Sequence, residues 1–128
     1  MRLLLDTCTF LWIYGDADRL SEKAGEAFAD PENEVYLSSV STWEIAVKHA
    51  AGRLLLSEAP SELIPRLRQV YGIRPLPFGD RAALHVAQLP RLHRDPFDRM
   101  LVCQAVTYRL TVLTPDELIA QYAVSTMW

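Results

Sequence analysis

The sequence predicts an α/β domain built on a mainly parallel sheet. Short apolar runs of strand length, RLLLD at 2–6, VYLS at 35–38 and LTVL at 110–113, alternate with longer amphipathic runs. Capping residues mark the helix starts, most clearly Ser21, Pro60 and the pair Asp95-Pro96. Glycines and prolines stand singly at element ends, with no repeat, linker or low-complexity tract between them. Strands that alternate with helices favour parallel pairing, because each parallel pair needs a crossover connection.

The elements follow in order. Residues 2–6 read as a buried strand that ends in a carboxylate. Residues 7–14 are apolar and form a short helix capped at or near Thr7. Gly15-Asp16-Ala17-Asp18 is a turn, and Ser21 caps a helix to about Asp30 with Ala24, Ala27 and Phe28 on one face. Pro31-Glu32-Asn33 breaks it, and 35–38 is the second strand. A helix opening at Ser39 or Ser41 carries Trp43, Ile45, Ala46 and Val47 and closes on Gly52. Pro60 starts a helix that ends at Gly72, in which Pro65 is tolerated only near the start.

The third strand, 73–76, belongs at a sheet edge, because Pro75 has no N–H to give a ladder. Asp80 caps a helix to Gln88, and 90–94 is a loop. Asp95 as cap and Pro96 at the first helical position begin a helix to Tyr108, its apolar face built from Met100, Leu101 and Ala105. Residues 110–113 are the fourth strand. Thr114-Pro115-Asp116 begins a last short helix, and Val124 starts a terminal strand.

A chain of 128 residues, half of them apolar and 23% charged, suits one packed domain, 1–128, and not a disordered one. The net charge of −3 excludes a polycation that grips nucleic acid by bulk charge. The charge is uneven: residues 1–44 hold nine acids against three bases, while 45–128 hold seven acids against ten bases. The bases are almost all arginine, whose forked guanidinium suits phosphate. Cys8 and Cys103 both lie in apolar stretches and read as reduced core thiols; no Cys/His cluster suggests zinc. Asp6 interrupts the N-terminal apolar run too early for a signal peptide, and no run is of membrane-span length. The expectation is a soluble cytoplasmic protein.

Open α/β sheets place ligands at the carboxyl ends of their strands. Asp6 closes the first strand, and Asp116 lies just past the fourth. Glu44 falls early in the helix after the second strand, and Asp95 and Asp98 start another helix. Anions gathered in one cleft repel unless a cation bridges them, and oxygen-only ligands suit Mg²⁺ or Mn²⁺. Structural readings stand beside this one. Asp95 is a good N-cap, and Asp116 a good first-turn acid for a helix dipole. Asp6 and Glu44 are harder to explain structurally, because a carboxylate among apolar residues is costly to bury alone. His49, His85 and His93 are scattered; His93 and Arg94 read as a solvated loop or a phosphate contact. Trp12 and Trp43 read as core or interface, and Thr7, Ser39, Ser41 and Thr114 as caps first and supports to the acids second.

With these residues in place, the sequence resembles PIN-domain ribonucleases, specifically the VapC-type toxins of bacterial toxin–antitoxin pairs. The matching segments are LLLDT at 3–7, S-x-x-x-W-E-I at 39–45, HRDPFDRMLVCQA at 93–105 and LTVLTPD at 110–116, and they span essentially the whole chain. The segment at 93–105 is the most specific. The resemblance implies a PIN-like fold, a parallel sheet sandwiched between helices. It implies an acidic quartet of catalytic and metal-binding residues at Asp6, Glu44, Asp98 and Asp116. Asp95 is an additional acid that either joins the metal site or only caps its helix. Thr7 and Thr114 match positions where small hydroxyl residues flank the acids.

The activity implied is Mg²⁺- or Mn²⁺-dependent hydrolysis of RNA phosphodiester bonds by an endoribonuclease. Asp6, Asp98 and Asp116 would hold the ion, while Glu44 would ligate it or orient the attacking water. Arg94, Arg99, Thr7 and Thr114 are candidates for substrate contact, and Arg53, Arg66 and Arg68 for lining the approach. The resemblance also implies a cognate VapB-like antitoxin that blocks the site, a homodimer, and a higher toxin–antitoxin assembly. Alternatives are a catalytically silent PIN module serving as an RNA or protein scaffold, and a PIN nuclease that processes ribosomal RNA. A phosphoacceptor receiver domain fits poorly: Asp6 stands alone at the first strand end, and no lysine follows Lys48.

Overall fold

The computed structural model describes all residues, 1–128. Five parallel strands form one sheet in the order β3-β2-β1-β4-β5. They are β1 (Arg2–Leu5), β2 (Glu34–Ser38), β3 (Arg74–Leu76), β4 (Thr111–Leu113) and β5 (Thr126–Met127). The helices are α1 (Thr7–Gly15), α2 (Glu22–Ala29), α3 (Ser39–Ala50), α4 (Pro60–Tyr71), α5 (Asp80–Leu84), α6 (Pro96–Tyr108) and α7 (Glu117–Ala120). Short 3₁₀ turns at Ala17–Arg19 and His85–Gln88 extend the connections.

β1 is central because its sequence is apolar on both faces. Leu3, Leu4 and Leu5 are all fully buried, as a parallel strand covered by helices requires. Leu3 and Leu5 belong to one core with Phe10 and Ile13 of α1, Ala24 of α2, Ile45 of α3 and Leu63, Ile64 and Leu67 of α4. Leu4 points the other way, into a second core with Leu101, Val102 and Ala105 of α6, Val112 of β4 and Ile119 of α7. The two-residue period of a strand therefore divides one LLL run between two helical layers. The fold class expected from the sequence, a parallel sheet between helices, is the one observed.

Local signals hold at most element ends. Ser21 Oγ accepts from Ala24 N, and Asp95 Oδ1 accepts from Phe97 N and Asp98 N. Gly72 closes α4 in the left-handed region, at φ +66°, where a side chain would be strained. β3 is an edge strand, as Pro75 requires.

Three caps differ from expectation. Asp6, not Thr7, occupies the N-cap position of α1, and its side chain makes no cap bond. α3 is capped by Ser38, whose Oγ accepts from Val40 N, whereas Ser39 Oγ accepts from Phe78 N across the domain. Gly79, not Asp80, precedes α5. In the first two cases the displaced side chain has a tertiary partner that outcompetes the local bond.

Leu4→Ala is expected to cost about 2–5 kcal/mol of stability, since it opens a cavity in a fully buried strand. Urea unfolding followed by circular dichroism measures this.

Candidate metal centre

Register places β1 and β4 side by side, with Leu5 opposite Leu113, so both strands end at the same edge of the sheet. The residues that follow are Asp6 and Thr114, and their side chains meet: Thr114 Oγ1 donates to Asp6 Oδ2 at 2.7 Å. Thr114 Oγ1 also accepts from Asp116 N, which sets the start of α7. Asp116 then caps that helix, its Oδ1 accepting from Leu118 N. One hydroxyl thus ties the two acids together. Thr9 Oγ1 donates to the Leu113 carbonyl and fixes α1 against the same strand end.

α3 brings Glu44 to the cleft from β2. Glu44 is buried, and its Oε1 accepts from Thr7 Oγ1 at 2.8 Å, with Ser41 Oγ also 2.8 Å from that hydroxyl. Its Oε2 pairs with Lys48, one helical turn on. Thr7 and Thr114 therefore serve the acids, which answers how Asp6 and Glu44 are buried: each has hydrogen-bond donors.

α6 supplies the remaining acids. Asp95, Asp98, Asp116, Asp6 and Glu44 all line one cavity of about 360 Å³, together with Cys8, Lys48 and Arg53. Asp95 is both a helix cap and a wall of this cavity, so the two readings of that residue are compatible. The Asp98 carboxylate takes no hydrogen bond from a side chain or backbone. Burial, and then the charges of Asp6, Asp95, Asp116 and Glu44, push its carboxyl up to about 8. Asp6 is also raised, by burial first, against the lowering hydrogen bonds of Thr114 and Cys8.

His93 is the residue that sequence reasoning misplaced. It does not lie in a solvated loop: its side chain is 11% exposed, and Nε2 is 2.9 Å from Asp98 Oδ2 and 3.9 Å from Asp116 Oδ2. The N–H direction at Nε2 is not aligned with either carboxylate, so that nitrogen is buried without a hydrogen-bond partner. Nδ1 accepts from Asp95 N, which places the proton of a neutral ring on Nε2. The HRDP run carries the signal: the single residue, Arg94, between His93 and the cap Asp95 lets the ring fold back onto the helix start.

Other expectations need correction. Cys8 is only partly buried and lines the cleft, not the core, with its thiol pushed up to about 12 by burial and by Asp6. Of the two readings of Trp43, core or interface, its 65% exposure removes the core. Arg66 pairs with Glu58, and Arg68 donates to the Leu37 carbonyl, so neither is directed at the acids. Arg99 donates to the Pro90 carbonyl and to Tyr122 Oη, not to a carboxylate, and pins the loop before α6. Arg91, His93, Arg94 and Arg99 line a separate, wholly polar recess of about 520 Å³.

The donor set fits a divalent cation. Oxygens of Asp98 and Asp116 and a ring nitrogen of His93 lie within 4.8 Å of one another; with Nδ1 held by Asp95 N–H, His93 would ligate only by giving up the Nε2 proton. Asp98 is a carboxylate without donors in a field of carboxylates, the arrangement that a hard cation relieves.

The PIN domain family model matches residues 3–125. The chain belongs to the PIN domain family. Solved structures agree on the fold. The chain is similar to VapBC2 from Rickettsia felis bound to a promoter DNA fragment, with TM-score 0.74 and 13% identity, covering 99% of this chain and 98% of that one. It is similar to DNA-bound VapBC from Salmonella typhimurium, with TM-score 0.69 and 18% identity, covering 99% and 97%. It is also similar to VapBC-1 from nontypeable Haemophilus influenzae, with TM-score 0.67 and 15% identity, covering 99% and 97%. No curated protein matches the chain. No helix is long and apolar enough to cross a membrane.

The raised acids make a pH prediction. Asp98 binds its proton more tightly folded than unfolded, so its contribution to stability is present at low pH and is lost as pH rises through about 8. In metal-free protein the melting temperature should carry a falling component between pH 3.8 and about 8. Mn²⁺ added at the upper end should raise it, and Asp98→Asn should shrink both effects, leaving the part that Asp6 contributes. Differential scanning calorimetry across that range, with and without the ion, is the measurement.

Proposed function

We propose that this protein is a divalent-metal-dependent endoribonuclease and the toxin of a VapBC-type toxin–antitoxin pair. The observation that carries the reading is Asp98: a nearly buried carboxylate with no donor, surrounded by four others at the carboxyl ends of a parallel sheet. Asp6, Asp98 and Asp116 are the residues that would hold Mg²⁺ or Mn²⁺, with Asp95 contributing its free oxygen or only capping α6. A divalent cation supplies Lewis acidity there, toward water and toward a phosphoryl oxygen.

The chain's own groups do the rest. Thr114 orients Asp6, and Thr7 orients Glu44. Glu44 retains lone pairs that can accept from an attacking water and align it. Arg94 and Arg91, in the polar recess beside His93, draw the neighbouring phosphates of a strand toward the acids, with Arg99 as a fixed wall. RNA as the substrate follows from the resemblance of HRDPFDRM and LLLDT to VapC-type sequences.

A VapB-like antitoxin is the partner this reading assigns. An acidic cleft is a natural seat for an inhibitor's arginine or lysine, and the solved structures that share the fold include VapBC and FitAB structures. A homodimer, a higher toxin–antitoxin assembly and a cytoplasmic location belong to the same reading.

Asp6→Asn and Asp98→Asn should each lower Mn²⁺-dependent RNA cleavage by roughly 100-fold or more, with circular dichroism unchanged. Thr114→Val should cost about 10–100-fold through the misplaced Asp6. Cleavage of a total-RNA substrate resolved by gel reads both; full activity in either aspartate variant overturns the mechanism.

A further inference from the structure

The acidic cavity is not uniformly anionic. Its wall includes two cations, Lys48 and Arg53. Lys48 lies in α3 at i+4 from Glu44, and its Nζ contacts Glu44 Oε2. An exposed i,i+4 pair of this kind is a minor stabilising contact. This pair is not exposed at both ends: the Glu44 side chain is 6% exposed and faces the cleft, while Lys48 is 45% exposed at its mouth. Asp95 and Asp98 also act on the ammonium, so it stands in the field of the whole cluster.

The consequence for Glu44 is specific. Oε1 is taken by Thr7 and Oε2 by Lys48. Its charge is already compensated, in contrast to Asp98. The tightest group of atoms able to share one ion comes from Asp98, Asp116 and His93; Asp6, Asp95 and Glu44 stand outside it, and of these three Glu44 alone is paired with a cation. The five acids thus divide into a pole around Asp98, which lacks a cation, and a pole at Glu44, which has one built in.

We infer that the cleft accepts one divalent cation, at the Asp98 pole, and that the Lys48 ammonium takes the place of a second at Glu44. An ammonium is a compact, hydrated charge with three donors. One N–H holds Glu44, and the others are free to bond a non-bridging oxygen of the phosphodiester that enters the cleft. Lys48 is then a substrate-binding residue. Arg53, on the same wall, adds charge further along the strand's path. The inference rests on the nuclease reading above and names how many ions that site takes and what replaces the other.

The test is isothermal titration of metal-stripped, full-length protein with MnCl₂. Wild type should bind one Mn²⁺. Lys48→Gln and Lys48→Ala should each bind two, because Glu44 is released as a ligand, and Lys48→Arg should return the count to one. In RNA cleavage at saturating Mn²⁺, Lys48→Gln should raise KM about tenfold, a change that a merely structural ion pair would not produce. Two ions in wild type overturn the inference while leaving the nuclease reading intact. One ion in wild type and in both neutral variants also overturns it, and reduces Lys48 to a salt bridge. No Mn²⁺ binding to wild type overturns the nuclease reading itself, and this inference with it.

Discussion

The structure turns on mutual repulsion among carboxylates crowded into one half-buried cleft. β1 and β4 run parallel and end in register, so whatever follows Leu5 and Leu113 is forced into one space. The chain places Asp6 and the Thr114–Asp116 turn there, then adds Glu44 from α3 and Asp98 from α6. Left uncompensated, such a cluster favours protonation, which is the direction in which Asp6 and Asp98 are displaced. The fold tolerates this because the positive ends of α6 and α7, the hydroxyls of Thr7 and Thr114, and Lys48 each answer part of the charge. The unanswered remainder sits on Asp98, and that remainder is what gives the cleft its chemistry.

Structural and functional roles coincide in the same side chains. Asp95 and Asp116 each commit Oδ1 to a helix N-cap. Their second oxygens are left for the cleft, and the cap holds the carboxylate in one rotamer without a further partner. A helix start at the end of a crossover is therefore an economical place for a ligand. His93 extends the pattern. The backbone N–H of Asp95 fixes its tautomer, so Nε2 carries the ring proton close to two carboxylates but aligned with neither.

The charge distribution also acquires a meaning. A net charge of −3 would repel a polyanion at long range. Much of the acidity is inside the cleft or spread over α2 and its flanks, while Arg91 and Arg94 form a polar recess beside it. Attraction of a phosphate chain is thus a local matter of those arginines, not a property of the whole surface.

The sequence by itself determined the order of strands and helices, the central LLL strand, the edge position of Pro75, and the acids that gather. These rest on apolar periodicity, proline geometry and caps, all of which act over a few residues. Which hydroxyl supports which acid was not legible locally. The bond from Thr114 to Asp6 spans 108 positions and that from Thr7 to Glu44 spans 37. Ser39 and Thr7 read as caps because only their neighbours in the chain were visible. Trp43 read as core or interface; the structure excludes the core, because it lies on the outer side of a helix whose inner side is Ile45. His93 read as a loop residue because the chain around it does not show that Asp116, from another element, closes over the ring. Tertiary structure alone decided these points, because parallel pairing brings together residues that no short-range rule relates, and because burial in the resulting cleft sets the energy of every charge within it.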